Sequence, residues 1–198
     1  MQIENNKEEV PFSYYADLFS RADPAEIASR LGIPFEKGAF RLTLLGREYT
    51  VPHPIDADAQ FASALPVQTF LLRYLLEARD VSWLGDWKTF REMPWGELYI
   101  KPYTGRVLTR AAFTFGTRVE KFRAACEKLG GLPLKHGDAG FEFPFIGPYK
   151  MRILVWAPDE EFPPNAQVLY SDNFAEGFAA EDRVVAGDIL ISHIKAAM

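Results

Sequence analysis

Residues 141–156 constrain the fold more than any other stretch of the chain. Phe141-Glu142-Phe143-Pro144-Phe145 alternates, so three aromatic rings fall on one face of a strand. Gly147-Pro148 makes a turn, and Ile153, Leu154, Val155 and Trp156 then run together as a strongly apolar second strand, residues 151–156. Two strands joined by so short a turn must be antiparallel. Residues 40–45 and 48–51, joined by Gly46-Arg47, predict a second hairpin, and residues 168–170 a further short strand. Pro144 is tolerated at a sheet edge. The expectation is a mostly antiparallel sheet of about five strands.

Helix signals lie mainly toward both ends of the chain. Asp23-Pro24-Ala25-Glu26 offers an N-cap, a first-turn proline and an N3 glutamate, and Gly32 supplies a stop. Thr117-Arg118-Val119-Glu120 reads as a capping box ahead of an apolar stripe at Val119, Phe122, Cys126 and Leu129. Residues 66–79 carry one polar line, Thr69, Arg73 and Glu77, amid apolar positions, which predicts an enclosed helix. Residues 181–197 predict a helix with Val185, Ile189, Leu190, Ile194 and Ala197 on one face, and Glu181 and Asp182 at its positive end. Further helices are expected over residues 8–21 and 108–115. Helices at both ends packed on an antiparallel sheet give the class α+β. No repeat or linker divides the chain, so one domain over residues 1–198 is expected; a chain of this length buries about 70% of its extended surface.

Several classes of function fall away. One cysteine in 198 residues excludes a disulfide framework, a cysteine zinc site and an iron–sulfur cluster held by this chain alone. No basic stretch leads into an apolar one at the start, and no apolar run approaches the ~20 residues of a membrane span. These features predict a cytoplasmic protein with no membrane partner. A net charge of −5 argues against nucleic acid. No G-x-S-x-G, Walker, G-x-G-x-x-G or H-E-x-x-H motif is present.

The charge is unevenly spread. Residues 73–123 hold 10 basic and 6 acidic side chains, between acidic flanks. Within this region Trp83, Trp87, Phe90, Trp95, Tyr99 and Tyr103 interleave with Lys88, Arg91, Lys101, Arg106 and Arg110. Rings give stacking area and guanidinium groups give bidentate bonds to carboxylate or phosphate. The candidate ligand-binding residues are therefore Arg91, Arg106, Trp87, Tyr103 and Lys101, and the partner class is an anionic small molecule, a cofactor of unknown identity or a protein. The plainer reading is that these rings cap a core. A second candidate is the acidic loop Asp159-Glu160-Glu161, with oxygen ligands for a hard divalent cation if the chain is a small-substrate enzyme using His53 or His136 as acid or base. A rigid solvated turn between prolines is its plainer reading. Cys126, on an apolar stripe without a nearby base, reads as an inert buried thiol.

Four stretches, in order, carry a resemblance. They are Leu45-Gly46-Arg47-Glu48-Tyr49, Leu71-Leu72-Arg73-Tyr74-Leu75-Leu76, Trp87-Lys88-Thr89-Phe90-Arg91-Glu92-Met93-Pro94 and Asp159-Glu160-Glu161-Phe162-Pro163-Pro164-Asn165-Ala166, running on toward Glu181-Asp182. The ordered set, covering roughly residues 14–194, resembles an uncharacterised bacterial and archaeal family, the domain of unknown function 3786. That family has no established activity. Some members look to be fused to an iron–sulfur module similar to those of corrinoid proteins, so the resemblance also implies a possible accessory role in a corrinoid or iron–sulfur system. Its pattern often carries His where Tyr74 stands here, so no metal role carries over to Tyr74.

Overall fold

The structure, a computed structural model, describes residues 12–56, 58–62 and 64–198. It is α+β, built on one antiparallel sheet of eight strands rather than about five. The strands are β1 Phe35–Glu36, β2 Ala39–Leu44, β3 Arg47–Pro52, β4 Trp87–Thr89, β5 Leu132–Leu134, β6 Ala139–Ile146, β7 Tyr149–Trp156 and β8 Asn165–Ser171. Their order is β1-β2-β6-β7-β8-β4, with β3 also on β2 and β5 also on β6. The three strands that pattern reading misses, β1, β4 and β5, have two or three residues each. No periodicity is visible over so short a run, and pairing with a longer neighbour makes them strands.

The helices are α1 Phe12–Arg21, α2 Pro24–Leu31, α3 Leu65–Glu77, α4 Gly96–Tyr103, α5 Arg110–Phe115, α6 Val119–Lys128, α7 Phe174–Gly177 and α8 Ala180–Ala197. Residues 8–11 of the first expected helix lie outside the described residues. At α2 the cap works as its residues dictate. The Asp23 carboxylate accepts the Ala25 N–H at 2.8 Å, Pro24 opens the helix, and Gly32 takes φ 62° to close it. Asp23→Ala is expected to cost about 1 kcal/mol, read as a lowered urea midpoint with an unchanged slope. The capping box expected at Thr117 does not form. The chain runs from α5 through a 3-10 turn, Gly116–Arg118, straight into α6, and Arg118 flanks α6 without a side-chain cap bond. A capping box does form at Thr89, whose N–H donates to Glu92 at 2.7 Å.

Helices α4 and α5 are one continuous rod, joined by a π-helical segment, Thr104–Thr109. Gly187 of α8 sits against it; a Cβ there would fall 2.8 Å from both Val107 γ-carbons. The β2–β3 turn is Leu45-Gly46, one residue earlier than its sequence suggests, with both residues at positive φ (48° and 75°). Such a turn matches strand twist but strains a leucine. Burial of the Leu45 side chain offsets the strain.

Phe141, Phe143 and Phe145 of β6, Met151, Ile153 and Val155 of β7, and Val168 and Tyr170 of β8 are all buried, as the alternation requires. Helices α5 and α6 pack against this sheet, and α8 packs on α3, α4 and α6. The first eight residues of α8 are buried on every side, beyond the one-sided face its sequence shows. Charged groups inside are paired. Arg73 of α3 meets Asp182 of α8 at 2.6 Å, with side chains 5% and 2% exposed. The Tyr99 hydroxyl donates to Glu181 at 2.8 Å, and Arg183 donates to the carbonyls of Phe178 and Pro94. Arg73, placed on a polar line by its spacing, is thus a core residue.

Candidate functional site

The structure distributes the five residues singled out by sequence among separate environments. Trp87, in β4, lies under the Arg152 guanidinium, 4.0 Å from its ring centroid, and Lys150 stands 4.1 Å over Trp83. Glu142 completes this outer sheet face by accepting from Arg152 at 2.8 and 3.0 Å and pairing with Lys150 at 3.6 Å. The cations on these indoles therefore come from β7, not from the indoles' own segment. Tyr103 is inside the core, stacked on Phe90 at 4.0 Å, with its hydroxyl toward Tyr170; burial raises its pKa. Arg106 and Arg110 both hold Asp188 of α8. Arg91 pairs with Glu97 at 3.4 Å on the surface, and Lys101 is exposed. None of the five lines any of the cavities described below.

The other candidate residues lie in separate surroundings. The His53 ring nitrogen bonds the Phe19 carbonyl at 2.9 Å, and its ring stands edge-on to Phe19, Phe35 and Phe40. His136 is exposed. Burial, with Arg47 nearby, keeps the pKa of His193 below its usual value. Burial raises that of Cys126, which holds it as a neutral thiol. Asp159 closes its own turn, accepting the N–H groups of Glu161 and Phe162 at 2.9 and 2.7 Å, which lowers its pKa. Among the described residues no three His, Cys, Asp or Glu side chains are grouped to hold a metal ion.

The sheet itself supplies a different site. Strands β2 and β6 are in register only at Leu44 and Ile146, where the Leu45 N–H also donates to Phe145 O at 2.8 Å. Strand β1 covers only Ala39 and Phe40 of β2, and β5 covers only Gly140 to Glu142 of β6. Between these covers, Arg41 to Thr43 and Phe143 to Pro144 face a split without cross-strand partners. The split follows from the residues: Pro144 has no N–H to give, and a bulge falls between Pro144 and Ile146.

This wedge holds a cavity of about 530 Å³, within the usual range for small-molecule sites. Its lining includes Ile33, Leu42, Leu129, Phe143 and Phe145, with Arg41 as its only charged residue. Arg41 is exposed and makes no ion pair among the described residues. Tyr74 of α3 also lines it, although its residue is 1% exposed. The Tyr74 hydroxyl lies against Gly147 and makes no hydrogen bond among the described residues. Burial raises its pKa, with Tyr149 and Asp80 adding to the effect and Arg30 opposing it. Two further hollows, of about 360 and 540 Å³, lie on the β2–β3 hairpin beside Glu36, Lys37, Arg41 and Glu48, and beside Asp138, Trp156, Asp159 and Phe162.

A family model, that of the domain of unknown function 3786 (DUF3786), matches residues 23–193. The chain belongs to this family. The DUF3786 stretch takes in the whole sheet, from β1 to β8, and every residue lining the wedge. Comparison with curated proteins and with solved structures gave no match. No helix among the described residues is long and apolar enough to cross a membrane.

The wedge is not legible in the sequence of this DUF3786 chain. Arg41, Tyr74 and Gly147 are spread over more than 100 positions, and no spacing rule links them. Tyr74 reads as one of several apolar positions on an enclosed helix, and Gly147 as a turn residue. The only hint is Pro144, whose missing N–H marks where the β6 ladder weakens.

Proposed function

We propose that this protein is a non-catalytic binding module that holds an anionic small molecule in the wedge between β2 and β6. One observation carries the reading: the hydroxyl-bearing Tyr74 and Arg41, neither with a polar partner among the described residues, line the same small-molecule-sized hollow. Arg41 supplies the charge that recognises an anion, and the apolar walls supply burial. The basic–aromatic segment does not line the wedge. Its Arg106 and Arg110 are engaged by Asp188, and its Trp87 is covered by Arg152. The lining holds no carboxylate, histidine or thiol, which favours a binding role over a reaction driven by one of those groups.

The test is a thermal-shift series with benzoate, citrate and inorganic phosphate, on the wild type and on Arg41→Ala, at low and high salt. At ten times Kd a ligand should raise Tm by about 3–6 °C in a chain of this size. The rise should shrink in salt and vanish in Arg41→Ala. No rise with any of the three, or a rise that Arg41→Ala leaves intact, overturns the reading.

A further inference from the structure

We infer that the ligand of the wedge is a monoanionic organic acid with an apolar body, its acid group on Arg41 and a neutral hydrogen-bond acceptor of its body taking the Tyr74 hydroxyl. This rests on the wedge being the binding site, and goes further by naming the ligand's chemistry. Three features select it.

The first is charge. Arg41 is the only cation in the lining, and the hollow adjoining it on the hairpin carries Glu36 and Glu48 with Lys37 between them in sequence. A second negative charge would meet no partner inside, and outside it would meet two carboxylates against the one ammonium of Lys37, so polyanions are disfavoured. The second is the wall. Ile33, Leu42, Leu129, Phe143 and Phe145 offer contact to hydrocarbon or ring, and a bare inorganic anion would leave them unfilled. The third is the hydroxyl. Tyr74 is 1% exposed, lines the hollow, and has no acceptor for its hydroxyl among the described residues. Burial keeps it protonated, so it meets the ligand as a donor. A ligand with a carbonyl or ether oxygen at that depth satisfies it, and one with a methyl group there does not.

Two matched pairs of acids read this directly. They are 4-acetylbenzoate with 4-isopropylbenzoate, and 5-oxohexanoate with 5-methylhexanoate. Within each pair the shape is kept and only the acceptor is lost. Titration calorimetry on the wild type should give the keto acid of at least one pair about a tenfold tighter Kd than its isostere. Tyr74→Phe should bring that ratio to about one and leave Tm no lower than wild type, because the hydroxyl holds no bond among the described residues. Arg41→Ala should weaken both members of the pair alike. Equal Kd values within both pairs on the wild type, or a preference that survives Tyr74→Phe, would sink the inference while leaving anion binding standing. Inorganic phosphate or citrate binding through Arg41 more tightly than any of the four acids would do the same. If none of these anions binds, the wedge reading falls with it.

Discussion

Asp182→Ala is expected to cost about 3–5 kcal/mol of folding stability. The loss is large because Asp182 is one half of an ion pair whose members are almost wholly out of water, at 2.6 Å. Removing the carboxylate takes the 2.6 Å counter-charge from the Arg73 guanidinium in the core between α3 and α8, with the face of Tyr15 5.5 Å away as partial compensation. Against a total of about 5–15 kcal/mol, this is a substantial fraction. It should appear as a Tm lower by about 6–20 °C in a chain of this size. The pair as a whole is a different matter, since two buried charges also carry a desolvation cost. Arg73→Met combined with Asp182→Leu should therefore recover most of the loss. A single Asp182→Ala variant within about 1 kcal/mol of wild type would show that the pair is hydrated in solution.

Phe178→Ala is expected to cost about 3–5 kcal/mol by a different mechanism. Phe178 follows α7 and is 3% exposed. Its ring stacks on Phe70 at 5.1 Å and on Tyr74 at 5.9 Å, and meets Tyr149 and Phe174 at 4.9 and 4.7 Å. These rings come from α3, the β6–β7 hairpin and α7, so the side chain is where three parts of the chain lock together. Truncation leaves a ring-sized void that four rigid aromatics fill poorly, which makes the cavity contribution large. Phe178→Leu, which restores much of the volume, should lose only about 1–2 kcal/mol. Urea unfolding followed by tryptophan fluorescence measures both. Equal losses for Ala and Leu would mean that ring stacking rather than volume holds this cluster.

Tyr74 ties this core to the wedge, because its ring packs on Phe178 while its hydroxyl lines the cavity. The site therefore rests on rigid elements. Tyr74→Phe is thus the informative change there: it alters the hollow's chemistry and leaves the ring packing in place.

Much of the frame is legible in the sequence. The β6–β7 hairpin follows from alternation and one turn, the α2 boundaries from Asp23, Pro24 and Gly32, and the class from where helix and strand signals fall. These are local effects, set by residues within a few positions of each other. The short strands β1, β4 and β5 escaped because two or three residues carry no period, and only a neighbour's ladder makes them strands. The Thr117 box failed because its helix has no free end to cap.

Local pattern in the chain alone thus determined the long strands, most of the helices and the α+β class, since propensity, capping and alternation act over a few residues. Tertiary structure decided everything of longer reach: that Arg73 meets Asp182, that the mid-chain arginines are neutralised by Asp188 and Glu97, and that the sheet parts between Arg41 and Pro144 over Tyr74. Side chains far apart in sequence acquire a shared environment only when packing closes the chain around them, and a pattern of spacing carries no record of that closure.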